Sequence, residues 1–195
     1  MHQFNVESLE GRNLMSAGLH HGTLSVVGGN GMDTIIVRAD ATSVTVEKNG
    51  ESKSYARAKV RSIVVHGRAG NDLLAVEDAD GLFDIPVVLV GGKGADSLEG
   101  GAANDVLVGG AGDDSMFGNG GNDIMRGDTG NDLMTGGAGN DVLRGGAGND
   151  LMGGGEGDDL VLGGRGNDSL YGEGGADSLV GGAGLDTLDD VLEVI

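Results

Sequence analysis

Hydrophobic residues follow two rhythms along this chain. Between residues 23 and 90 they come in short alternating runs, TLSVV, DTIIVRA, SVTVEK, SYARA, SIVVHG, DLLAVED and IPVVLV, set apart by turn signals such as Gly28-Gly29-Asn30-Gly31 and Asn49-Gly50. Runs of this length, bounded by Gly and Asn, predict β-strands. From Gly91 onward the rhythm changes, and one large apolar residue returns every nine positions. A fixed period of this kind predicts a stack of repeated coils.

Starting at Gly91, the chain divides into eleven consecutive nine-residue units without an insertion, from GGKGADSLE to GGAGLDTLD, covering 91–189. Position 1 is glycine and position 6 aspartate in every unit; position 8 is Leu, Met or Val; position 4 is glycine except at Ala103. Six residues, G-G-x-G-x-D, suit a turn with backbone angles that a Cβ forbids. The other three suit a short strand whose middle side chain points opposite to its neighbours. Two units make one flattened coil of eighteen residues, and successive coils stack as parallel strands about 4.8 Å apart. The stacking predicts two interior columns: Leu98, Met116, Met134, Met152, Leu170 and Leu188, and Leu107, Met125, Leu143, Val161 and Leu179. The methionines are thus core filling rather than a soft-metal site.

Aspartates fall into columns by the same stacking: Asp96, Asp114, Asp132, Asp150, Asp168 and Asp186 on one edge, Asp105, Asp123, Asp141, Asp159 and Asp177 on the other. Like charges one strand apart repel unless something sits between them. The composition agrees. The chain carries 31 acids against 12 Lys and Arg, a net charge of −19, of which residues 91–195 hold −16. This excludes nucleic acid or an anionic membrane surface as the main partner. A hard divalent cation fits instead, and calcium accepts six to eight oxygens in flexible geometry, so glycine-turn carbonyls must complete each shell. The 42 glycines lack the strict third-position period and the proline of collagen. No apolar run is long enough to span a membrane.

The unit G-G-x-G-x-D-x-U-x resembles the calcium-binding RTX (hemolysin-type) repeat. The resemblance implies an all-β fold, a right-handed parallel β-roll with two nonapeptides per coil, in a protein secreted by bacteria and folded by calcium. It also implies a ligand set: carbonyls at positions 1 and 3 with the aspartate of one turn, and carbonyls at positions 2 and 4 with the aspartate eighteen residues later. Carried over, one site uses Gly127, Thr129 and Asp132 with Gly146, Gly148 and Asp150. Five sites on one edge and four on the other give roughly nine Ca2+ ions, whose charge nearly matches the −16. Asn119 and Asp128 at position 2 tolerate left-handed backbone, whereas Glu173 and Ala103 do so less well, so their sites are the ones expected to be weak or empty. Ala176 and Leu185, where Asn or Asp dominates, predict looser turns near the C-terminal end.

Residues 1–22 read as a leader, 23–90 as a β-rich cap or β-helix lead-in, 91–189 as the roll and 190–195 as a last capping strand. Two stretches of the cap echo the repeat, GGNGMDTII from Gly28 and GRAGNDLLA from Gly67, the second out of register with Gly91 by a six-residue insertion. SLEGRNLMSA loosely resembles an N-terminal L-E-x-R-x-L-x-S-A motif of large bacterial surface or secreted proteins, and DVLEVI resembles the export tail of type I secreted proteins. The N-terminus lacks the basic and apolar regions of an ordinary cleavable signal.

Catalysis finds little support. His2, His20, His21 and His66 form no H-E-x-x-H, cysteine is absent, and Lys93 is followed by Gly94 and not by the Ser or Thr of a phosphate loop. On the outward face of the even-numbered units, Val106, Ile124, Val142 and Leu160 align, flanked by Val108, Arg126, Arg144, Leu162 and Val180. Two readings stand: a docking or self-association face, or β-propensity alone. With 20 acids and 32 glycines, residues 91–195 are expected to be disordered until calcium binds. The leading function is a calcium-binding structural or adhesive module, secreted or at the cell surface; the alternative is a secreted enzyme or toxin with catalysis in residues 1–90.

Overall fold

The computed structural model describes residues 16–77 and 83–189; most of the leader, all but the last two residues of the surface-protein motif, and the tail strand at 190–195 lie outside them. The described chain is nearly all β, with one 3-10 turn at Arg57–Lys59. The strands read from the alternating runs form close to the expected places: β2 (Thr23–Val27), β3 (Thr34–Ala39), β4 (Ser43–Lys48), β5 (Glu51–Ala56), β6 (Ser62–Ala69), β7 (Leu73–Glu77) and β8 (Val87–Lys93). One further strand, β1 (Ser16–His20), lies inside the segment read as a leader. In the repeat block β9 (Ser97–Glu99), β10 (Val106–Ala111), β11 (Ser115–Gly120), β12 (Ile124–Thr129), β13 (Leu133–Ala138), β14 (Val142–Ala147), β15 (Leu151–Glu156), β16 (Leu160–Arg165), β17 (Ser169–Gly174), β18 (Ser178–Ala183) and β19 (Thr187–Asp189) follow at the nonapeptide interval.

These strands build two parallel sheets facing one another, so the fold is the parallel β-roll that the period implied. One sheet runs β1-β2-β6-β8-β10-β12-β14-β16-β18 and the other β19-β17-β15-β13-β11-β9-β7-β3-β4-β5. Both cross residue 90 without a break, so the change there is one of coil length. Ile35 pairs with Leu74, Leu74 with Leu98, and Leu98 with Met116, shortening the coil from 39 to 24 and then to 18 residues. The extra residues of the long coil make the antiparallel β3-β4-β5 ribbon, and β1 returns antiparallel on β2. These hairpins close the N-terminal end of both sheets, with the polar β5 ESKSYA as an outer edge.

Between the sheets lies a core one side chain wide. Leu98, Met116, Met134, Met152 and Leu170 form one buried column and Leu107, Met125, Leu143 and Val161 the other. The first continues into Leu74 and Ile35, the second into Leu89, Val65 and Val26. At the far end Leu188 is half exposed, and Leu179 is only partly buried.

Candidate metal centres

Each nonapeptide turn carries its aspartate inward along the edge of the roll, and the hydrogen bonds around it repeat every eighteen residues. In the turn 127–132, the Asp132 N–H donates to Asp150 Oδ1 (2.9 Å), and Asp132 Oδ1 in turn accepts the N–H of Asp114 (2.9 Å). One carboxylate oxygen is thereby fixed. The other is not: Oδ2 of Asp72, Asp96, Asp114, Asp123, Asp132, Asp141, Asp150, Asp159, Asp168 and Asp177 is buried with no hydrogen-bond partner. A buried carboxylate oxygen without a partner costs several kcal/mol or more unless a cation meets it, and here the same atom recurs coil after coil. Burial pushes Asp96, Asp150 and Asp159 up to about 6 and Asp114 and Asp123 up to about 7, with the stacked carboxylates adding to the rise and the backbone N–H bonds opposing it. Asp132 and Asp141 are raised by burial too.

The carbonyls alternate in direction along the turn. The Thr129 carbonyl accepts the N–H of Gly112, and the Ala147 carbonyl that of Gly130, so position 3 faces the preceding coil. The Gly145 carbonyl lies 2.7 Å from where a side chain on Gly127 would begin, on the same side as Asp132 Oδ2. Positions 2 and 4 face the other way: the carbonyls of Asp128 and Gly130 sit against the α-carbons of Gly146 and Gly148. The gap between turns 127–132 and 145–150 is therefore lined by Asp128 and Gly130 from one side, Gly145 and Ala147 from the other, and Asp132 and Asp150. The structure brings Asp132 and Asp150 together as expected, but it does not bring the carbonyls of Gly127 and Thr129 to the same gap as those of Gly146 and Gly148. The first pair faces the coil before and the second the coil after.

Side-chain choice follows from this crowding. Position 1 is glycine because the aspartate of its own turn occupies the place of a Cβ, as Asp132 does at Gly127. Ladder pairing skips this glycine, from Gly109 opposite Gly127 onward. Asn119, Asp128 and Glu173 take position 2 with φ of 74°, 73° and 71°. Position 5 builds an amide ladder that sequence reading left unexplained: Asn131 Oδ1 accepts the N–H of Asn149, and Asn149 Oδ1 that of Asn167. Ala176 and Leu185 donate their N–H groups to Asp158 and Asn167, so they complete this ladder at the last described turn of each edge.

Two turns differ. In 100–105, Ala103 avoids positive φ, and the N–H of Gly101 turns inward onto Asp105 Oδ2 (2.7 Å) while Val87 N–H holds Oδ1 (2.8 Å). In 28–33, the N–H of Gly29 likewise meets Asp33 Oδ2. Asn49 Nδ2 holds Asp33 Oδ1 (2.7 Å), and the Lys48 ammonium lies 3.8 Å away, bonded to the Val27 carbonyl. In both, an N–H group of the chain satisfies the oxygen left bare elsewhere.

Among the described residues no three His, Cys, Asp or Glu side chains converge on one point, so no conventional side-chain cluster forms; the oxygen-rich gaps contain two carboxylates each and take the rest from backbone. That donor set is all hard oxygen, which suits calcium. A family model described as RTX calcium-binding nonapeptide repeat (4 copies) matches residues 88–116, 117–152 and 153–188. No curated protein matches the chain.

Proposed function

Since the chain belongs to the RTX calcium-binding nonapeptide-repeat family, we propose that it is a calcium-assembled structural module in which each ion sits between the turns of successive coils. The observation that carries this reading is the column of buried, unpartnered Oδ2 atoms. In the gap beside Asp132 the ligands would be Asp132 and Asp150 with the carbonyls of Asp128, Gly130, Gly145 and Ala147, a set turned by one coil from the grouping that the family pattern implied. Calcium bound there supplies the positive charge that the stacked carboxylates require and thereby couples loading to folding. Five gaps from Asp96 to Asp186 and three from Asp123 to Asp177 share this hydrogen-bond pattern; the gap at Asp105 is closed by Gly101. Calorimetric calcium titration is expected to give about eight ions from these gaps, with β circular dichroism rising in step. A chain that binds no calcium, or that has the same β signal in EDTA, would overturn the reading.

A repeat-built roll of this kind points to a non-catalytic module. Extracellular calcium modules bind at about 10⁻⁴–10⁻³ M, so such a chain stays extended in a low-calcium cytosol and folds outside, which supports a secreted or cell-surface site of action. Val106, Ile124, Val142 and Leu160 stand in one row along the first sheet, and Ile124 is about half exposed. We propose this row as a self-association or docking face. Replacing Ile124 and Leu160 with serine is expected to lower the mass measured by light scattering, and an unchanged mass for an oligomeric parent would exclude it.

A further inference from the structure

The aspartate column does not stop where the family match does. Beyond its first residue, Val88, the turn 67–72 lies against the turn 91–96 across a coil of 24 residues instead of eighteen. Every feature of the nonapeptide gaps recurs there. The Asp72 N–H donates to Asp96 Oδ1 (2.8 Å). Asp72 is 3% exposed, and its Oδ2 is buried without a partner. Ladder pairing passes from His66 opposite Val90 to Arg68 opposite Gly92 and skips Gly67 and Gly91. Arg68 holds φ 89°, the left-handed angle required at position 2, while its side chain is exposed to solvent. Its carbonyl and that of Gly70 sit against the α-carbons of Gly92 and Gly94; the Gly91 carbonyl returns toward Gly67, and the Lys93 carbonyl accepts the N–H of Gly70 (2.8 Å).

We propose that this gap is a further calcium site, formed by Asp72, Asp96 and the carbonyls of Arg68, Gly70, Gly91 and Lys93. It rests on the calcium reading of the repeats and extends it to a turn whose spacing hides it from the nonapeptide period. The six additional residues fall between β7 of one sheet and β8 of the other, away from the turns 67–72 and 91–96, which stay in register with each other. The column ends one turn further on: at Asp33, Gly29 and Asn49 satisfy both carboxylate oxygens, so no equivalent oxygen is bare. Asp72 therefore supplies the last bare oxygen on this edge before Asp33, and the site joins the lead-in coils to the repeat block.

The full chain, crystallised with calcium or with terbium as an anomalous scatterer, tests this directly. Density between Asp72 and Asp96 at the occupancy of the Asp132 gap is expected; filled repeat gaps with this one empty would overturn the site but leave the repeat reading intact, whereas no ion anywhere would overturn both. In solution, Asp72→Asn is expected to bind one ion fewer per chain by calorimetry, with the remaining repeat-block ions retained. Asp105→Asn, at a turn closed by Gly101, is expected to keep the parent count. A variant Asp72→Asn that folds on calcium and binds the parent number of ions would refute the assignment, and the crystal stands as the test if that variant fails to fold.

Discussion

Gly148 shows how little freedom a single position has in this chain. It sits at φ +142° with the Gly130 carbonyl where its Cβ would be, whereas Gly50 has a positive φ of +81° and open space around it. Both replacements by alanine incur about 1–2 kcal/mol of left-handed backbone strain, but only Gly148→Ala also displaces a carbonyl that lines a gap. Gly50→Ala is expected to keep the parent's ion count, and Gly148→Ala to lose at least one ion in calorimetry. The aspartates make a second contrast. Below their unfolded values, near 4, the raised carboxyls are protonated and stabilise the stack; that stability is lost as pH rises through about 6–7, where Asp96, Asp114, Asp123, Asp150 and Asp159 ionise in the fold. Protons and calcium compete for the same oxygens. Lowering the pH from about 7.5 to 5.5 is thus expected to lower the calcium concentration at half-folding by circular dichroism, because protons then neutralise part of the stack in place of calcium, and a midpoint that does not move would exclude this linkage.

At the scale of the element, a strand of the roll has one inward side chain, so each contributes a single layer to a narrow core. Met134, fully buried between Met116 and Met152, is expected to cost about 2–5 kcal/mol as Met134→Ala, measured by denaturant unfolding in saturating calcium. Its neighbours on the opposite column change little, because stability in a stacked repeat is mostly nearest-neighbour. These layers were legible in the sequence, since position 8 repeats without a gap from Leu98 to Leu188. The strand runs of the lead-in were legible too, down to Thr23–Val27 and Ser43–Lys48. Carbonyl direction was not, because every residue has a carbonyl and nothing in a one-letter string says which way it faces; only the bonds of Thr129 and Ala147 to the preceding coil reveal it. Nor was the stacking of Asp33 on Asp72 and of Asp72 on Asp96: the echoes GGNGMD and GRAGND stood in the sequence, but coils of 39 and 24 residues share no period with the eighteen that follow. At the Asp105 turn, Ala103 marked the departure in the sequence, but did not show that the N–H of Gly101 turns onto Asp105 Oδ2.

The whole molecule divides by how its aspartates are answered. In the lead-in, Asp33 meets Asn49 and Lys48, and the space between the sheets is filled by Leu24, Val26, Ile35, Val37, Val44, Val46, Ile63, Val65 and Leu74, all buried. In the repeat block two narrow columns of apolar side chains run beside two columns of carboxylates whose buried Oδ2 atoms, Asp105 apart, have no hydrogen-bond partner. Charge repulsion and glycine entropy oppose folding chiefly in the second region, so the two should separate when calcium is removed. Hydrogen exchange in EDTA is expected to leave the amides of β2, β3, β4 and β6 protected while those of β12 to β18 exchange like unfolded chain; calcium then restores protection first next to the surviving coils, since each new coil needs a formed edge to pair with. Lys48→Met removes the buried ammonium that stands by Asp33, a loss worth about 3 kcal/mol where a buried charge is left alone, and is expected to abolish the protected core in EDTA and to raise the calcium needed to fold the repeats. Uniform loss of protection in the parent, or a Lys48→Met variant with the parent's calcium midpoint, would show that the roll folds as one unit and that its lead-in is no template.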